Sequence, residues 1–227
     1  MKRVRLFSLF TATLATWVVA IIAGLCLYRS GNFVCQTTGL TCQDSFNFFQ
    51  NYYSDLGRIE PYVDTGSRYH AASRMLFVLS GVLFTFLIAI AVYTLIVYGD
   101  KPGDSRSNIA LAIAAFMFII ATITTVATPA DVDEGLHGMG AVVSIVSLTL
   151  LAWTTSILHE SIVFRLLFSL ELLASIACLT VSVMAVMYGH IYLASMSTVG
   201  AVAQRAMTVF LITQVSYIIY NTYALMI

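Results

Sequence analysis

The sequence predicts an all-α membrane protein, a bundle of six transmembrane helices with one long outer loop, and three observations carry that prediction. Of 227 residues, 59% are hydrophobic and only 10% are charged, with a mean hydropathy of +0.90. A soluble domain carries about 25% charged residues, and charge becomes this scarce where hydrocarbon is the solvent. Six apolar runs, at about 6–28, 71–98, 108–127, 136–157, 162–188 and 199–226, each reach the roughly 20 residues that crossing a bilayer takes. The one long polar stretch between them is the outer loop, 29–69. With three prolines and no low-complexity tract, 1–227 reads as a single polytopic membrane domain. The net charge of zero offers no basic field for nucleic acid.

The first run follows a basic head of Lys2, Arg3 and Arg5. It is longer than the apolar region of a signal peptide, and Gly24-Leu25-Cys26 is a poor small-x-small cleavage site, so it reads as an anchoring helix. Backbone polar groups in lipid must bond within their own segment, so every run is expected to be helical. The runs at 71–98 and 162–188 exceed a minimal span, which implies tilt or protruding ends. An even number of spans places both termini on one side. Lys2, Arg3, Arg5, Lys101, Arg106 and Arg165 fall on that side, and the excess of Lys and Arg there predicts cytoplasmic termini. The other side holds Arg29, Arg58, Arg68 and Arg74, together with Asp44, Asp55, Glu60, Asp64, Asp131, Asp133 and Glu134.

Cys35 and Cys42 lie in the outer loop, where an oxidising compartment would close them into a small disulfide; in a reducing one they would stay thiols. Cys26 and Cys178 lie within helical runs and are expected to be buried packing residues. The stretch Ser45-Phe46-Asn47-Phe48-Phe49-Gln50-Asn51-Tyr52-Tyr53 is dense in aromatics, which favour the headgroup layer. A short helix or turn lying on the outer surface is expected there.

Two short elements carry the chemistry. Ser54-Asp55-Leu56-Gly57 precedes the second helix, and Ala127-Thr128-Pro129-Ala130-Asp131 leads through Glu134 and Gly135 to His137, which opens the fourth. The pairing resembles the membrane family known as domain of unknown function 998, and more distantly the DRAM/Frag-like membrane proteins. In these a Ser-Asp-x-Gly element stands before helix 2 and a His at the start of helix 4. The resemblance covers most of the chain and implies a six-helix fold, but no agreed reaction. It carries over Ser54, Asp55, Gly57 and His137, and leaves Asp131-Val132-Asp133-Glu134 and the Cys35/Cys42 pair unmatched. Read from the residues alone, Ser54-Asp55-Leu56-Gly57 is either a structured turn or a means of holding Asp55 at the membrane surface.

Other polar groups fall at the same depth. Arg68, His70 and Arg74 begin the second helix, His190 closes the fifth, and Arg205 lies about two turns into the sixth. His159 stands on the inner side beside Glu160. These groups either sit separately in the wet headgroup layer or converge. Convergence of Asp55, His70, His137 and His190 would suit Zn²⁺ with one position left for water, which is the chemistry of a metal-dependent hydrolase; no paired H-x-x-x-H spacing supports it. Arg205 either snorkels outward or faces the bundle, where Arg58, Arg74 and Arg205 would bind an anionic headgroup or a carboxylate. Glu171 is the acid well inside a span, toward its inner half. Phosphate loops, a G-x-S-x-G elbow, paired haem histidines and a repeated filter motif are missing from the sequence.

Three functions remain. The first is a lipid-handling protein, needing no cofactor, whose ligand-binding residues are Asp55, Arg58, His70, Arg74, His137 and Arg205. The second is a zinc hydrolase using Asp55, His70, His137 and His190. The third is an assembly subunit packed against a membrane-protein partner. Membrane lipids are the expected partners in all three.

Overall fold

The structure, a computed structural model, describes residues 2–28, 46, 51, 53–60, 69–98, 105–158, 162–188 and 190–224. Six long helices appear there: α1 (Lys2–Leu27), α2 (Tyr69–Tyr98), α3 (Ser105–Ala127), α4 (Glu134–Leu158), α5 (Ile162–Tyr188) and α6 (His190–Ala224). A short 3-10 helix, Tyr53–Gly57, precedes α2, and the described residues contain no strand. Four segments are long and apolar enough to cross a membrane: Val4–Leu27, Tyr69–Tyr98, Arg106–Ala127 and Glu134–Thr155.

The polarity of the bundle is that of a membrane protein. Phe86, Phe116, Trp153 and Leu173 point outward and are more than half exposed, while Asn51, Glu171 and Gln214 are almost fully buried. Water would reverse that arrangement, because a soluble protein buries its large apolar side chains and almost never a lone acid. Hydrocarbon around the helices explains both halves of the pattern.

Each helix packs on the next, and α6 returns to α1, closing a ring; α6 also touches α2 and α4 across the middle. The α3–α4 and α5–α6 hairpins and the α1–α2 pair are the closest associations. Lipid offers no hydrophobic drive between helices, so small residues and hydroxyl groups set the approach. Ser73 Oγ of α2 donates to the Gly24 carbonyl of α1 at 3.1 Å. Leu87, Leu111, Phe118 and Leu211 fill the core that α2, α3 and α6 share.

The α3–α4 turn is closed by its own residues. The Pro129 carbonyl accepts from Val132 N and Asp133 N, and Asp133 caps α4 by accepting from Leu136 N at 2.9 Å. Asp131 reaches outward instead, with Oδ2 accepting from Ile59 N at 2.8 Å and Glu60 N at 2.6 Å. One carboxylate therefore ties the segment after the 3-10 helix to the α3–α4 turn. Asp131→Ala is expected to cost about 2 kcal/mol, the scale of hydrogen bonds to a charged acceptor. Hydrogen exchange should show the Ile59 and Glu60 amides losing protection while the helices keep theirs; unchanged protection at both amides would contradict the tie.

Several expectations need correction. The sixth helix starts at His190, before the apolar run at Val199, because no proline or glycine intervenes to stop it. At 35 residues α6 is about 52 Å long, more than the roughly 30 Å thickness of a bilayer's hydrocarbon. The helices α1 to α4 likewise start a few residues before the apolar runs, since helices continue past the hydrocarbon edge. Cys26 is exposed on α1 rather than buried, whereas Cys178 is buried as expected. The Cys35–Cys42 pair and Arg68 lie outside the described residues.

Candidate functional site

The site begins with the 3-10 helix. Gly57 lies flat on the Phe77 ring of α2: a Cβ there would stand 2.5 Å from Phe77 Cε1, so only glycine permits the approach. Leu56 is fully buried and reaches toward Gly24 of α1. The 3-10 helix thus packs against α2 and α3 with Leu56 toward α1, and polar groups are buried with it: Asn51 is 0% and Asp55 7% exposed; most of the aromatic stretch 45–53 lies outside the described residues.

Those groups satisfy one another and α6. The Asn51 side chain donates through Nδ2 to Asp55 Oδ2 at 3.0 Å and lies 3.4 Å from the Tyr28 hydroxyl at the end of α1. The Asn51 carbonyl accepts from Arg205 Nη2 at 2.6 Å, while Arg205 Nη1 donates to the Ala201 carbonyl at 2.6 Å. The Arg205 guanidinium also stands 5.5 Å from the Phe46 ring centroid, within range of a cation–π contact. Arg205 therefore faces the bundle, 5% exposed, and pins the segment to α6. It does not meet Glu171, whose oxygens have no hydrogen-bond partner among the described residues.

Tyr28 links this network to α2. Its ring packs edge-on to Phe46 and, at 6.4 Å between centroids, edge-on to His70. His70 is 8% exposed, yet neither Nδ1 nor Nε2 has a partner among the described residues. A buried imidazole normally finds at least one. Arg74, one turn further along the same face of α2, is half-buried.

The structure thus brings Asp55, His70 and Arg205 together, with Arg74 adjoining, from the loop, α2 and α6. It uses the other expected residues differently. His137 is buried in the first turns of α4, with Nδ1 2.8 Å from the Thr128 carbonyl and 3.0 Å from the Thr125 carbonyl. Carbonyls only accept, so Nδ1 carries the proton and His137 clasps the end of α3. Arg58 donates through Nε to the Glu60 carbonyl at 3.2 Å. His190 is the first residue of α6, and its side chain lies outside the described residues. No group of three His, Cys, Asp or Glu side chains placed to hold a metal ion occurs among the described residues. Asp55, His70 and His137 accordingly do not form the expected zinc centre by themselves.

Tyr28 belongs to the cluster but carried no strong sequence signal, and Phe46 and Asn51 drew notice only as members of the aromatic stretch 45–53. Asn51 stands four residues before Asp55, the spacing of a local side-chain pair, and that was the available hint. Tyr28 resembled any aromatic at the end of a span. No family model, no curated protein and no solved structure matches the chain.

Proposed function

We propose that this chain is a multi-pass membrane protein of six spans, with both termini cytoplasmic, whose outer polar cluster holds the anionic head of a lipid or lipid-linked ligand. The reading of α5 and α6 as the fifth and sixth spans is supported by their lengths of 27 and 35 residues and by outward-facing Leu166, Leu173, Ile176, Val202 and Val209. Reporter fusions test the topology: cytoplasmic signals from both ends are expected, and a split result would contradict it.

One observation carries the ligand reading. His70 has both nitrogens without a partner among the described residues, and Arg74 stands one turn further on the same face of α2. A neutral imidazole offers one donor and one acceptor, and a guanidinium offers a planar fork of donors that matches phosphate or carboxylate. Tyr28 and Phe46 supply an apolar wall beside them, as suits a ligand that is polar at one end. Asp55, Asn51 and Arg205 act mainly to hold the wall in place.

Mass spectrometry of the intact protein, gently extracted from its membrane, tests this reading. The wild type should retain an anionic lipid or lipid-linked molecule, and the His70→Ala/Arg74→Gln double variant should lose it, with helix content unchanged. Equal retention by both would refute the proposal.

A further inference from the structure

The interior holds a second polar group that the outer cluster does not use. Glu171 lies on α5 with 0% exposure, and neither carboxyl oxygen has a hydrogen-bond partner among the described residues. The side-chain amide of Gln214 on α6 lies within reach of it, and Gln214 Nε2 makes no hydrogen bond of standard geometry among the described residues. Gln214 borders a cavity of about 20 Å³, enough for one water-sized group, lined also by Ala91, Leu151, Thr155 and Leu211. The Thr155 hydroxyl donates to the Leu151 carbonyl at 2.7 Å, which leaves its oxygen lone pairs to accept. One turn along α5 from Glu171, buried Ser175 accepts from Thr149 of α4 at 3.1 Å.

A carboxylate among aliphatic side chains needs a counter-charge, because an unpaired charge in hydrocarbon costs several kcal/mol. Among the described residues the neighbouring helices do not bring one near. On α6, Arg205 stands about 13 Å outward from Gln214 along the axis and is bonded to the Ala201 and Asn51 carbonyls. Tyr217 follows Gln214 by about one turn, and Tyr220 is exposed. On α4 the titratable groups are Glu134 and His137, at its far end. On α5 itself Arg165 is exposed, and Cys178 lies about two turns outward. On α2, Tyr93 points outward.

We propose that Glu171 and Gln214, with Thr155 across the cavity from Gln214, form an intramembrane site for a small exchangeable monovalent cation, a proton or sodium. Carboxylate, amide and hydroxyl oxygens suit hard cations, and the Glu171 carboxyl and the Gln214 amide on facing helices supply two of them. The site is independent of the headgroup reading and can fail without it.

Infrared spectra of the full chain in lipid bilayers test the inference. If the cation is a proton, an acid carbonyl band should grow as pH falls and shift in D2O. If it is sodium, a carboxylate band should move when sodium replaces choline at fixed pH. Either band should vanish in Glu171→Gln, and Gln214→Leu should move its midpoint about tenfold, the worth of a hydrogen bond to a charged group. A folded Glu171→Gln protein whose spectra respond to pH and sodium just as the wild type does would overturn the proposal. Should Glu171→Gln fail to fold, an unchanged midpoint in Gln214→Leu would overturn it.

Discussion

Arg205→Met lowers stability by about 3 kcal/mol and releases the segment around Asn51. The substitution removes two charge-assisted hydrogen bonds, from Nη1 to the Ala201 carbonyl and from Nη2 to the Asn51 carbonyl, and one cation–π contact with Phe46. Bonds of that kind contribute about 1.5–3 kcal/mol each, and the buried Asn51 carbonyl is left without its donor. Removing a charge from the bundle offsets part of the loss. Arg205→Lys keeps the charge but not the fork, so it should recover only a fraction. Denaturant titration in detergent measures the stability, and hydrogen exchange at Asn51 and Tyr53–Gly57 reports the release. A variant as stable as the wild type, with the same exchange there, would show that Arg205 does not hold the segment.

Gly140→Ala should be the most damaging single-methyl change in the α3–α4 hairpin. A Cβ at position 140 stands 2.6 Å from Thr125 Oγ1, 3.0 Å from the Ala121 carbonyl and 3.1 Å from Thr125 N. Two of these atoms are backbone, so a rotamer change cannot relieve the contact and α3 must move away. Overpacking of this kind costs about 1–3 kcal/mol, and the shift also strains the clasp from His137 to the Thr125 and Thr128 carbonyls. Gly138 is the internal control. A Cβ there meets nothing within 4 Å, so Gly138→Ala gains up to about 1 kcal/mol of helix propensity. Opposite signs for the two alanines, read as midpoints of the same titration, are the expected result. Equal effects would mean that the helices are not this close.

The helices were legible because hydrocarbon demands long apolar runs, and the runs lie where five of the six helices lie to within a few residues. The start of α6 at His190 was not, since hydropathy marks the part of a helix that meets lipid and not the part that projects beyond it. Site composition was legible in part. Asp55, His70 and Arg205 stood out as costly groups at one depth; Asn51 bonds to both Asp55 and Arg205, and Tyr28 packs between Asn51 and His70. Their partners did not stand out, because Arg205 answers to a backbone carbonyl at Asn51, and a carbonyl carries no residue signature. His137 stood out for the same reason as His70, yet its Nδ1 serves the end of α3. Asp131, unmatched to any motif, turned out to hold the Ile59 and Glu60 amides. Roles of that sort depend on which backbone groups are left unpaired, and a linear sequence does not display them.

An experimental map of the protein in a native-lipid nanodisc tests the ligand-binding claim most directly. The account predicts density for an anionic head within hydrogen-bond distance of a His70 ring nitrogen and of the Arg74 guanidinium, beside Tyr28 and Phe46. Finding both His70 nitrogens occupied by protein groups, with lipid density only along the outer faces of the helices, would contradict it.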